Sequence, residues 1–466
     1  MRAVALAFSI AACGDNLAAP VPDAASTGFE LVGHSDLDAR GMNSALAVAG
    51  DFVYVGSRTD APHPHAGVLI VDAHDPAHPT IAGELGPPDE DLIDMSSREL
   101  RADPDRHLLF VLEFSCAKDL HRCSTDLAQF GTTGGAAETD RLKIYDLADP
   151  RAPKRIGTYD FGSYPGHELA KPHEMFLWRG AANRELMYVT TPGGPPSLEV
   201  IDVSDPTAPA LIATWDPSFL APPRGNRGTG SLHSLSISDD GRTAYLAISA
   251  NGFMMLDTSE LAVGVATPTI RELTPEAARL DQAPPLPPSI HSAVVLPGRS
   301  FVLLTSEIYE KPISTGCPWG WVSTVDISDP AAPAFAGDFE LPENDPANCE
   351  VPTPTQQQVF TAHNPTLTSH LAFVTWHAGG LLALDTTDAT HPREVTRFVP
   401  DPIPQVATED PTLGGSHVSM WSYPVIVNGL IYVVDIRNGL YVLRYHGPHD
   451  EEIARTRFDE GNSNLR

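Results

Sequence analysis

Four histidines open four similar stretches of this chain: His173 in HEMFLW, His233 in HSLSIS, His291 in HSAVVL and His363 in HNPTLT. Three more residues that could bind a metal end apolar runs, Glu113 in FVLEF, Glu307 in LLTSE and His377 in TWHAG. Imidazoles with carboxylates nearby can hold Zn, Cu, Fe or Mn, and a carboxylate bonded to a ligand imidazole would fix its tautomer. The chain has no HExxH, no Gly-x-Ser-x-Gly and no Walker loop, so standard hydrolase and NTPase signatures are absent. These residues can act together only if the fold gathers positions that lie far apart in sequence.

A repeat supplies that gathering. In Ser197–Thr214, SLEVIDVSDPTAPALIAT, an alternating strand stops at Asp202 and a second apolar run follows the Asp205-Pro206 corner. Pro206 presets φ for a type I turn, and the Asp205 carboxylate can accept the turn's free N–H groups. Copies start at Val68, Leu142 and Val322, weaker ones at Phe253 and Leu381, and a truncated one at Leu430. The aligned aspartates are Asp72, Asp146, Asp202, Asp257, Asp326, Asp385 and Asp435, 50 to 74 residues apart. Each unit carries an upstream half of strand, Gly- or Asn-bearing turn, and strand rich in Val, Tyr and Phe.

Four strands in each of seven units predict an all-β fold, a seven-bladed β-propeller over residues 28–446. Gly28–Val32 is a lone strand, and the last unit lacks an outer strand, so the N-terminal strand is expected to close the ring. The first strand of each blade lines the central channel, which places His173, His233, His291 and His363 at one rim. The second strands return to that rim with Glu113, Glu307 and His377. Arg98 occupies the corresponding place in the second blade and Asn43 in the first, while Glu174 should point to the other side of its strand. The simpler role for such histidines is to bond backbone carbonyls at the channel mouth without any ligand.

The segments VLIVD (Val68–Asp72) and LEVID (Leu198–Asp202) resemble LVIVD-repeat proteins, over roughly residues 29–445. That resemblance implies the propeller and leaves the activity open, because propellers host many. The fourth unit departs from the pattern, with Asp257-Thr258-Ser259-Glu260 in place of the Asp-Pro stop. Selenium-binding proteins, which include methanethiol oxidases, look like distant His-lined analogues, and none of their cysteine motifs occurs here.

A formal net charge of −30 argues against nucleic acid as a partner. Residues 1–12 read as a signal sequence, and Ile10-Ala11-Ala12-Cys13 resembles a bacterial lipobox. The resemblance implies lipidation of Cys13 and a membrane anchor at the cell envelope, with Gly14 implying outer-membrane sorting. The competing reading is a wrongly assigned start codon with a chance cysteine. Residues 13–27 would be a flexible tether and residues 447–466 a charged, frayed tail. Cys116 with Cys123, and Cys317 with Cys349, are expected as two disulfides pinning loops.

The expected function is that of a cell-envelope binding or scaffold module that takes a protein or glycan on its loop face, with a transition-metal site at the rim. The alternative is a metal-dependent oxidoreductase acting on a small molecule. A purely structural envelope component is a third reading.

Overall fold

The computed structural model describes residues 28–60, 63–86, 95–115, 140–167, 170–192, 195–217, 231–249, 251–280, 289–309, 316–349, 358–410 and 417–465. They form seven antiparallel sheets, one per blade, with the strands of blades one to six following chain order from the channel outwards. Blade three is typical: Met175–Arg179, Glu185–Thr190, Leu198–Asp202 and Ala210–Trp215 pair in sequence. Its three inner strands are almost wholly buried, and its outer strand is mostly exposed or half-buried, with Trp215 buried at its end. Burial on both faces explains why the inner strands are near-continuous apolar runs. The core lies between blades, as where Val48, Val55 and Val71 of blade one meet Val425, Val434 and Val442 of blade seven.

The ring closes as expected. Gly28–Ser35 is the outer strand of the last blade, antiparallel to Gly439–His446, with Phe29 opposite Tyr445 and Leu31 opposite Leu443.

The recurrent Asp-Pro corner does two jobs. Asp202 Oδ1 accepts the Ser204 N–H at 2.9 Å, and Asp205 Oδ1 accepts that of Thr207 at 3.0 Å. The Ala208 N–H then closes the turn on the Asp205 carbonyl at 3.1 Å. The finished turn docks on the preceding blade. A Cβ on Gly157, in the outer strand of blade two, would fall 1.9 Å from the Pro206 carbonyl oxygen. The same contact seals the ring, where a Cβ on Gly33 would meet the Pro76 carbonyl oxygen at 2.1 Å. The corner therefore latches blade three to blade two and blade one to blade seven.

Two expectations are corrected. Leu430–Asp435 is the second strand of blade seven and Gly439–His446 the third, so Asp435 is not equivalent to the other six aspartates. Both strands share the same apolar alternation, which makes them indistinguishable by pattern. Asp435 is fully buried and accepts backbone N–H groups from Ser419, Arg437 and Asn438.

The C-terminal segment is ordered rather than frayed. After the helix Asp450–Arg455, Phe458–Glu460 adds a fifth strand on the channel side of Val425–Val427. Ser463 then bridges Leu177 of blade three, and Asn464 binds the Arg179 backbone through its side chain at 2.7 and 2.9 Å. Asp459, Glu460, Asn462, Ser463 and Leu465 are buried. Interior backbone sites on facing blades offset the charge that the tail shows in sequence.

Cys317 and Cys349 form the expected disulfide, with Cα atoms 5.8 Å apart. Cys13, Cys116 and Cys123 lie outside the described residues. Among the described residues no helix is long and apolar enough to cross a membrane.

Candidate metal centre at the channel rim

Alternation along a channel-lining strand leaves its first residue at the strand mouth, and four successive blades place an imidazole there. The rings form an arc: His173 and His233 have centroids 4.5 Å apart, His233 and His291 4.1 Å, and His291 and His363 4.1 Å. His377, from the end of a second strand, continues the arc 5.1 Å from His363. Glu307 comes from the neighbouring second strand and faces the arc. Its Oε1 lies 3.2 Å from the Nε2 atoms of both His363 and His377, and its Oε2 lies 3.6 Å from His291 Nε2.

The other ring nitrogens decide what these contacts are. His363 Nδ1 is 2.6 Å from the Trp421 carbonyl oxygen, an acceptor, so Nδ1 carries the proton. His233 Nδ1 donates in the same way to the His291 carbonyl at 3.2 Å. His291 Nδ1 is 2.8 Å from Ser292 Oγ, whose own proton goes to Asn364 Oδ1 at 3.1 Å. In each neutral ring Nε2 is then a lone pair. Lone pairs on His291 and His363 thus face the oxygens of Glu307, which are also acceptors. Among the described residues, Glu307 Oε1 and both ring nitrogens of His377 make no well-aligned hydrogen bond although they are buried, and His377 and Tyr309 are the donors nearest Glu307. His377 also holds an unfavourable φ of 34°. Backbone-carbonyl bonding and metal ligation are therefore complementary here: the first fixes Nδ1 and orients Nε2 for the second.

Burial, reinforced by the neighbouring imidazoles, holds His291 and His363 well below the ordinary histidine range and keeps them neutral. Burial opposes the charge on Glu307, yet its carboxyl is held well below the usual range by the charge the facing imidazoles carry when protonated and by a hydrogen bond from His377. Two overlapping donor sets result, His233–His291–Glu307 and Glu307–His363–His377, each with donor atoms within 4.8 Å of one another. His173 adjoins the first, its Nε2 2.9 Å from His233 Nε2.

Not every expected rim residue joins. Glu113 is buried in an ion pair with Lys143 at 2.8 Å and belongs to neither donor set. Glu174 turns inward to a separate buried group, 4.0 Å from Arg101, which also pairs with Glu99 at 3.2 Å. Burial and then the Glu99 carboxylate push the Glu174 carboxyl well up. The tail strand adds Glu460, which burial raises to about 7 against the opposing charge of Arg101. Asn43 is structural, accepting from Arg40 at 2.7 Å.

Arg98 does reach the rim, with company that the sequence reading missed. Its guanidinium and that of Arg58 lie 5.6 and 5.0 Å from the Trp421 ring centre, and that ring packs 4.9 Å from His363. Burial, then the charge of Arg58, brings Arg98 down to about 10. Tyr309 stands edge-on to His377 at 5.6 Å. Its position two residues beyond Glu307 was a usable signal, whereas Trp421, on an irregular stretch before a three-residue strand, had none.

The LVIVD repeat family model matches residues 40–85, 194–216 and 322–340, in blades one, three and five with flanking residues. No curated protein sequence matches significantly. Among solved structures, the periplasmic gluconolactonase PpgL of Pseudomonas aeruginosa superposes with a TM-score of 0.50 at 15% identity, covering 86% of this chain and 94% of that one. Sqt1 of Saccharomyces cerevisiae gives a TM-score of 0.50 at 9% identity, covering 90% and 100%. At such identities the likeness is one of fold.

Proposed function

We propose that this LVIVD-repeat β-propeller binds a transition-metal ion at its channel rim and is a metal-dependent enzyme acting on a small molecule. One observation carries the reading: imidazole lone pairs, fixed by Nδ1–H bonds, face a buried carboxylate. The lone pairs of His291 and His363 set against this carboxylate favour a cation between them, and nitrogen with oxygen donors suits Zn, Cu, Fe or Mn. Glu307 with His363 and His377 would hold the ion, and His291 and His233 flank the other carboxylate oxygen. The ion would supply Lewis-acid or redox chemistry. Trp421, Tyr309, Arg58 and Arg98 would wall the site, and their mixed aromatic and cationic character suits a small polar substrate. The tail strand lies across the channel interior and favours approach from the histidine side.

The test is elemental analysis of untagged protein starting after Cys13 and exported to an oxidising compartment. Near-stoichiometric metal that is lost in His291→Ala/His363→Ala supports the reading, and a protein that neither contains nor takes up metal overturns it. Lactones make a reasonable first screen, since a gluconolactonase shares the fold. The convergence of imidazole and carboxylate donors favours this enzyme over a binding module that takes a protein or glycan on its loop face.

We further infer a lipid-anchored address at the cell envelope, supported by Ile10-Ala11-Ala12-Cys13. Mass spectrometry of the membrane fraction should find lipid on Cys13. Full-length Cys13→Ser remaining equally membrane-bound would sink the inference.

A further inference from the structure

A second group of nitrogen and oxygen donors lies away from the rim. His370 sits in the turn between the first two strands of blade six, and His449 and Glu452 come from the start of the helix Asp450–Arg455. The two imidazoles stack with centroids 4.6 Å apart and planes 16° from parallel. Glu452 accepts from His370 Nδ1, from the His370 backbone N–H at 3.2 Å and from Thr368 Oγ1 at 2.5 Å. His449 Nε2 lies 3.0 Å from Thr387 Oγ1. One donor atom from each of His370, His449 and Glu452 lies within 4.8 Å of the others.

Several features go beyond a chance surface cluster. His449 holds a φ of +62°, a conformation disfavoured for a side chain of its size, and that backbone precedes a helix aimed at blade six. The His370 side chain is 42% exposed, which gives an ion a route in, and the chain's net charge of −30 concentrates cations around it. Two imidazoles, one carboxylate and water complete the tetrahedral shell that Zn²⁺ prefers.

We propose that His370, His449 and Glu452 form a second, structural Zn²⁺ site that fastens the C-terminal segment beneath the propeller. The site would join blade six to the helix that leads directly into the channel-closing strand Phe458–Glu460. Metal binding replaces the hydrogen bond between His370 Nδ1 and Glu452, and the neutral His370 ring keeps its proton on Nε2. The site shares no residue with the rim.

The experiment measures Zn²⁺ equivalents by titration calorimetry, and hydrogen exchange of residues 458–463 with and without Zn²⁺. It compares the unsubstituted protein with His449→Asn, chosen because Asn tolerates positive φ. In His449→Asn the expected result is one equivalent fewer and loss of a roughly fivefold Zn²⁺-dependent protection of the tail. Glu452→Gln should weaken that equivalent at least tenfold and serves as a second variant should His449→Asn misfold. Unchanged equivalents, or an equivalent lost with no change in tail protection, would overturn the proposal. His363→Ala, which affects only the rim, should leave this equivalent intact.

Discussion

His363 Nδ1 lies 2.6 Å from the carbonyl oxygen of Trp421. That bond places the ring's proton on the far side from Glu307 and leaves Nε2 as a lone pair 3.2 Å from Glu307 Oε1. A glutamine at position 307 could donate N–H to this nitrogen, whereas the carboxylate cannot.

Glu307→Gln should therefore separate metal binding from folding. Metal affinity should fall by at least about 100-fold, since even outer-shell partners cost 10- to 100-fold. The metal-free variant should equal or exceed the metal-free parent in stability, by up to about 1 kcal/mol for one recovered hydrogen bond. Metal titration and thermal melts of both forms check this, and a metal-free variant clearly less stable than its parent would count against the lone-pair arrangement.

The seating of the tail should depend on pH through Glu460. Its carboxyl is raised to about 7 by burial, against the charge of Arg101, which is itself shared with Glu99 and Glu174. A raised carboxyl means that the inserted tail binds a proton that the free tail releases at an ordinary pKa. Insertion is thus most favourable at low pH, weakens as pH rises from the free value to about 7, and levels off above it. The full effect is on the order of 3 kcal/mol. Protection factors for residues 458–463 should be larger at pH 5.5 than at pH 8.5, and Glu460→Gln should flatten the difference.

The blade latch should be sensitive at Gly157. Alanine there would put a methyl 1.9 Å from the Pro206 carbonyl oxygen, so blade two or three must shift. We expect a loss of about 1–3 kcal/mol in chemical denaturation. Gly83→Ala is the control, because its Cβ would meet Arg151 at an ordinary 3.4 Å.

The Cys317–Cys349 disulfide closes a loop with a sequence separation of 32 residues just beyond Glu307 and Tyr309. Loop-closure entropy for that length gives about 3–4 kcal/mol. A Cys317→Ser/Cys349→Ser variant should denature at correspondingly lower denaturant concentration. Its metal content should stay near that of the parent, because Glu307 directly follows the strand Phe301–Ser306 and its backbone N–H is held by the Ser289 carbonyl at 3.0 Å.

The fold was legible because its instructions are local and repeated. An alternating run ending in Asp-x-x-Asp-Pro specifies strand and corner within a few residues, and seven variations of one unit leave little choice but a ring. The histidine arc was legible for the same reason: one position in a repeat becomes one place on an axis. What the tertiary structure alone decided lies where a residue's partner is remote and no repeat marks it. Asp435 looked like its six counterparts until strand pairing put it in a second strand. Glu113 left the rim because Lys143 offered a buried partner that spacing could not reveal, whereas Glu174 lies on the other side of its strand as alternation predicts, beside an Arg101 that spacing did not reveal. The tail read as a solvated charge run, yet its backbone groups pair with Val425 of blade seven and Leu177 of blade three, two partners far apart in sequence. Periodicity encodes which face of a strand is buried. Which two distant surfaces will meet depends on the shape that all seven blades make together.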